Sequence, residues 1–279
     1  PLKNPHRITR RQAAVAELCT RLIERGELME ALSGVLDLER LITRIVYGTA
    51  NARDLRAVSQ TAGKLPEIRN LLASFESEEL SEIYRDLDLL TDVYELIESS
   101  IVDEPPFSVR EGGLIRAGFH KEVDYLTAIE KDSKGWIERI EETERESTGI
   151  KTLKVGYNRV FGYYIEVTRM YSDQVPYEYI RKQTLANAER YVTQELKELE
   201  DTLNGAEEKL KKLEEEIFLL IRDKIAAHID ILQKNSRIVA ETDALLSFAQ
   251  VAYDYGYTRP KMTNDGVLMI KEGRHPVVE

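Results

Sequence analysis

The sequence predicts a mainly α protein: a helical core, and two long antiparallel helices that carry a small β-rich unit at their far end. Three observations predict it. Apolar residues recur at three- and four-residue spacing through residues 1–105 and again from Lys121. At Thr152 the period switches to two. The stretch from Leu185 to Lys234 then has no proline and only Gly205 as glycine, with apolar residues in a seven-residue rhythm.

Taken in order, Asp37 is placed to cap a helix whose buried stripe is Leu38, Leu41, Ile42, Ile45 and Val46. A second stripe is Leu80, Ile83, Leu87, Leu90, Tyr94 and Ile97. Gly63-Lys64-Leu65-Pro66 and Glu104-Pro105-Pro106 read as connections. Phe107–Val109 and Leu114-Ile115, either side of Glu111-Gly112-Gly113, suggest a small hairpin. Val123, Leu126, Ile129, Trp136, Ile137 and Ile140 continue the helical period with one gap at Ser133, up to Gly149. Glu141, Glu142, Glu144 and Glu146 read as a solvated helix face.

In the alternating segment Leu153, Val155 and Tyr157 share one face, as do Tyr163, Ile165 and Val167. A hairpin tip falls near Asn158–Phe161, because asparagine tolerates tight turns. Tyr171–Ile180 reads as a third extended segment. Seven of the fourteen tyrosines lie between Tyr157 and Tyr191, which suits strands and equally suits a contact surface. Thr184 then opens the long helix, with Leu196, Leu199, Leu203, Leu210, Ile217, Ile225 and Leu232 in its seam. Fifty helical residues would extend roughly 75 Å. Such a rod needs a partner, and the stretch before Gly149 is the candidate. Gly266–Ile270 reads as a short strand opening a further domain, and a chain that starts at Pro1 reads as a piece of something longer.

Composition narrows the function. Of 279 residues, 42% are hydrophobic and 32% charged, which fits a folded core better than disorder. The single cysteine, Cys19, excludes an intramolecular disulfide framework and reads as packing. The four histidines are scattered, with no paired ligand spacing, so no metal is expected. No apolar run is long enough to span a bilayer, so no membrane partner is expected. Net charge is −11, which argues against a uniformly basic nucleic-acid binder. Residues 151–193 nevertheless carry seven cations against four carboxylates, +3 in a chain whose remainder is −14. Self-repulsion would favour dispersing those cations, whereas a polyanionic partner explains gathering them.

The phosphate-contact candidates are Lys154, Arg159, Arg169, Arg181, Lys182 and Arg190. Each has a plain alternative, a solvated charge or a partner for a nearby carboxylate. Asn158 is either a turn residue or a phosphate donor. Thr184 and Asn187, at the expected start of the long helix with Gln183 beside them, could offer backbone N–H groups to an anion, or Thr184 could be a cap alone. Tyr163, Tyr164, Tyr179 and Tyr191 could stack on bases, but most of them fit the core of a small sheet better.

Several co-linear segments resemble one family. Leu153-Lys-Val-Gly-Tyr-Asn-Arg-Val-Phe-Gly-Tyr-Tyr-Ile-Glu-Val-Thr168 and Arg181-Lys-Gln-Thr-Leu-Ala-Asn-Ala-Glu-Arg-Tyr191 are similar to the clamp region of the MutS family of DNA mismatch-repair proteins. Glu111-Gly-Gly-Leu-Ile-Arg116 and the opening Pro1-Leu2 with Ile8 and Arg11 resemble its core domain, and Glu272-Gly-Arg-His-Pro-Val-Val278 the start of its ATPase domain. The resemblance covers essentially the whole chain. It implies a core with lever helices over 1–133 and 194–263, a clamp over 134–193, and the beginning of an ATPase domain over 264–279. It further implies a bacterial cytoplasmic, nucleoid-associated protein that binds duplex DNA as a homodimer. No phenylalanine here begins the family's Phe-x-Glu mismatch-reading motif, and no G-x-x-x-x-G-K-[ST] loop is present to hold ATP and Mg²⁺. The expectation is a segment that grips DNA backbone, needs no cofactor of its own and does not hydrolyse ATP. The rival reading is a coiled-coil spacer whose basic tip docks an acidic protein.

Overall fold

The computed structural model describes residues 2–158, 160, 162–275 and 277, without the side chains of Ser133 and Lys134. It divides into two compact units, one made of the residues up to Glu98 with those from Ile221 onward, the other of Ser99–Leu220.

The first unit is helical. α1 (Pro5–Thr20) begins with proline in its first turn, and the Asn4 side chain accepts from the His6 N–H at 2.9 Å. α2 (Leu22–Ser33) and α3 (Leu38–Val46) follow, and Asp37 caps α3 by accepting from the Arg40 N–H at 3.0 Å. Leu38, Leu41, Ile42 and Ile45 are buried as their spacing predicts, while Val46 is exposed. α4 (Ala52–Leu72) opens with a reciprocal capping box between Asn51 and Asp54. It also runs straight through Gly63–Pro66, which is therefore no connection. Pro66 is exposed, while Leu65, Ile68 and Leu72 around it are buried, so packing of the apolar face outweighs the missing N–H.

The stripe from Leu80 to Ile97 serves two helices, α5 (Glu78–Asp86) and α6 (Thr91–Ser100). Leu90, between them, has φ +53°. Fully buried Asn235 holds this junction, accepting from the Asp88 N–H at 3.1 Å and donating to the Asp88 carbonyl at 2.7 Å. Asn235 belongs to α9 (Ile229–Asp254), which packs against α1, α2, α3 and α5. Leu18, Leu28, Leu55, Leu80, Leu232 and Leu246 fill the core, each contributing about 1.5–3 kcal/mol through burial.

In the second unit, Val109–Glu111 is a 3₁₀ turn capped reciprocally by Ser108 and Glu111. Ile115 bridges to Ile101, so the expected hairpin is absent. The error is one of pairing: Ile115 finds its partner upstream of the two prolines. α7 (Lys121–Thr148) passes through Ser133 without a break and ends at Gly149, whose φ of +72° gives the left-handed cap. Four antiparallel strands follow: β1 (Lys154–Asn158), β2 (Gly162–Thr168), β3 (Ile180–Thr184) and β4 (Ala188–Val192), in the order β1-β2-β4-β3. The β1–β2 hairpin is where the alternation places it. Arg159 and Phe161 at its expected tip lie outside the described residues.

The expected third strand, Tyr171–Ile180, is instead mostly a 3₁₀ turn over Arg169–Gln174 and an irregular loop. The long helix is also shorter than expected. α8 covers Gln194–Ala226, and a turn at Ala227-His228 separates it from α9. Residues 185–192 form a turn and β4 rather than helix, because pairing with β2 and β3 overrides their helix-favouring composition. Thr193 caps α8, its Oγ1 accepting from the Leu196 N–H at 3.3 Å. Gly266–Ile270 forms no strand.

Candidate nucleic-acid interface

The sheet has an apolar face and a polar face. Ile165, Val167, Tyr179 and Tyr191 join Ile140 of α7 and Leu196 and Leu199 of α8 in one buried cluster, with Val155 and Tyr163 packed on it. Alternation therefore sends Lys154, Tyr164, Glu166 and Arg190 to the other side. The register agrees, placing Lys154 opposite Glu166 and Glu166 opposite Arg190.

Arg190 is the centre of that polar face and is thoroughly engaged. Its Nε donates to Glu166 at 2.9 Å and its Nη1 to Gln183 at 3.0 Å. Its guanidinium lies 4.2 Å from the centroid of the Tyr164 ring, and its side chain is only 19% exposed. The Tyr164 ring in turn covers Gly156, where a Cβ would meet ring atoms at 2.8 Å. The backbone there needs close approach rather than an unusual φ. Arg190 is thus paired with a nearby carboxylate.

Arg181 and Lys182 differ. Both are exposed on β3, an outer strand of the sheet, with a register irregularity between Arg181 and Gln183. Arg181 reaches Glu189 at 3.4 Å yet keeps 62% of its side chain exposed. The buried Tyr191 hydroxyl also donates to Glu189. That bond, followed by Arg181, holds the Glu189 carboxyl below the ordinary range. Tyr191 is pushed up to about 12, first by burial and then by the bond to Glu189.

Thr184 and Asn187 are not at the start of a helix. Thr184 ends β3, and Asn187 lies in the turn to β4, so no helix dipole acts there. Both are exposed, and the Asn187 carbonyl accepts from the Arg169 N–H at 3.0 Å. The Arg169 side chain donates to the Ala186 carbonyl at 3.3 Å. Arg169 and Asn187 are thus neighbours at one end of the sheet, together with Thr184 of the same turn. Asn158 accepts from the Val160 N–H at 2.8 Å, the Asx-turn geometry of a turn residue. Lys154 is exposed and Gln183 half-buried.

Two residues read as solvated prove structural. Glu141 accepts from the Val155 N–H at 2.7 Å, and Arg145, paired to Glu141 at 2.6 Å, donates to the Leu153 carbonyl at 2.7 Å. Together they occupy backbone groups beside and within edge strand β1. Glu144 accepts from the Tyr179 hydroxyl at 2.5 Å. Their spacing of three and four along α7 was the available signal, since it puts them on one helix face.

Cys19 is half-buried with its Sγ 3.4 Å from the Ala249 carbonyl, as packing predicts. It lines an apolar cavity of about 690 Å³ in the first unit, which includes none of the basic candidates. Among the described residues no group of three or more His, Cys, Asp or Glu could hold a metal ion, and no helix is long and apolar enough to cross a membrane.

The family model for MutS domain III matches residues 1–249. The DNA mismatch repair protein MutS of Acetivibrio thermocellus is 51% identical over 279 residues, all of this chain and 32% of that protein. The proteins of the same name from Symbiobacterium thermophilum and Caldanaerobacter subterraneus are each 50% identical over the same shares. The chain spans about a third of the length of these relatives. With the family model covering most of its residues, this chain belongs to the MutS domain III family.

Proposed function

We propose that this chain serves DNA mismatch repair, and that its small sheet grips duplex DNA through the sugar–phosphate backbone without reading sequence. The name that the relatives share, DNA mismatch repair protein MutS, supports the process. The observation that carries the grip is the exposure of Arg181 and Lys182 on β3, near the turn that bears Thr184 and Asn187 and is braced by Arg169. Cations neutralise phosphates and release counterions, and polar side chains and backbone N–H groups fix position.

In this reading residues 134–193 act as a clamp. Lys154, Arg159, Arg169, Arg181 and Lys182 supply charge, while Asn158, Gln183, Thr184 and Asn187 supply hydrogen bonds. Arg190 stiffens the face that presents them. Helices α7 and α8, which enter and leave the sheet, act as levers between the DNA site and an ATPase elsewhere in a whole, dimeric, cytoplasmic protein. This segment itself carries no phosphate-binding loop motif and performs no ATP hydrolysis in this reading.

The test is titration of a short duplex at low salt against this chain and its Arg181→Ala/Lys182→Ala double variant. Binding weakened severalfold or more in the variant supports the grip. A variant that binds as tightly as the parent removes it.

A further inference from the structure

The run Glu214-Glu215-Glu216 in α8 looks like solvated charge, yet Glu214 is only 2% exposed. Its carboxylate accepts from the Gly113 N–H through Oε2 at 2.6 Å and from the Ile115 N–H through Oε1 at 3.1 Å. Both oxygens are therefore engaged by backbone of one loop. No ion pair to Glu214 occurs among the described residues, and nearby Lys211 is bound to Glu207. A buried carboxylate held by neutral donors is stable only while those donors converge on it.

The loop is shaped for that convergence. Gly112 and Gly113 both have positive φ, +78° and +74°. A Cβ on Gly112 would lie 3.1 Å from Lys211 Cγ and 3.2 Å from Glu214 Oε2, so the backbone passes α8 at a distance that favours glycine. Beyond it, Leu114 is fully buried and Ile115 makes the bridge to Ile101. By 1.5 Å per residue, Glu214 lies about 30 Å along α8 from Gln194, well away from the sheet core.

We propose that Glu214 is a positioning residue, a latch that pins the 112–115 loop to α8 and so fixes where along the helix the Ile101–Ile115 bridge sits. A carboxylate is required, because two N–H donors converge and each needs an acceptor. Glutamine at this position keeps one acceptor oxygen and turns an N–H₂ group towards the second donor. The latch is independent of the DNA reading.

Native-state hydrogen exchange of this chain tests it. Glu214→Ala is expected to speed exchange of the Gly113 and Ile115 amides by about tenfold or more. Glu214→Gln, which preserves side-chain volume, is expected to speed it by less. Formate added to the alanine variant should restore protection at these two amides, while chloride at equal ionic strength should not. A role limited to filling space would show no such selectivity. The proposal is overturned if both amides exchange at the parent's rate in either variant, or if chloride restores protection as well as formate.

Discussion

The Tyr179 hydroxyl and the Glu144 carboxylate join the loop before β3 to α7. Burial first, and the bond to Glu144 second, push the Tyr179 pKa well above its ordinary value. A phenol whose pKa is raised on folding adds stability that is complete below its unfolded pKa, about 10, and is lost as pH rises beyond it. Tyr179→Phe should therefore cost about 1–2 kcal/mol at neutral pH, and it should flatten the fall in stability above pH about 10. Urea denaturation at pH 7 and over an alkaline series measures both, and an unchanged alkaline slope would remove this account. The sequence favours the sheet core for Tyr179 but says nothing of Glu144, thirty-five residues earlier. Arg190 carries the same lesson, because its partner Glu166 is distant in sequence and adjacent in the sheet. Candidate cations can be chosen from sequence, whereas their state depends on strand register.

At the scale of elements, Pro66 is the informative exception. It sits within α4, where proline lacks the N–H that would reach the carbonyl four residues back. Its side chain is exposed, so replacement leaves the core intact. Pro66→Ala is expected to stabilise this chain by about 1–3 kcal/mol, seen as a higher urea midpoint at unchanged slope. A lower midpoint would mean that the ring itself supports the helix. The sequence reading breaks the chain here because it weighs local signals alone, while Leu65, Ile68 and Leu72 hold the helix through distant packing. The opposite error occurs at Leu185–Tyr191. Leu, Ala, Glu and Arg favour helix, and no proline or glycine interrupts them, yet hydrogen bonding to β2 and β3 makes a turn and a strand. That error moves Thr184 and Asn187 from a helix start to a hairpin. The β1–β2 hairpin escapes it, because a period of two over Leu153–Val167 has no helical counterpart.

Across the whole molecule the charge is −11, so a duplex as a polyanion is repelled on average and any binding must come from local contacts. Lys154, Arg169 and Lys182 make no ion pair among the described residues, and Arg181 is held only weakly, at 3.4 Å. If these four and Arg159 neutralise phosphates, the logarithm of the binding constant should fall against the logarithm of salt with a slope of about −4 to −5, from a dissociation constant on the order of 10⁻⁴–10⁻⁶ M. The Arg181→Ala/Lys182→Ala variant should lose about two units of that slope, roughly one for each phosphate contact. Arg190→Ala should leave the slope nearly unchanged while lowering stability, since its charge is already balanced by Glu166. Backbone contacts carry no sequence information, so matched and mismatched duplexes should bind alike. Fluorescence anisotropy across a salt series reads the slopes and the mismatch comparison, and urea denaturation reads the stability of the Arg190→Ala variant. A slope near zero would mean that the gathered cations do not meet phosphates, and a steep slope unaffected by the double variant would place the contact elsewhere on the chain.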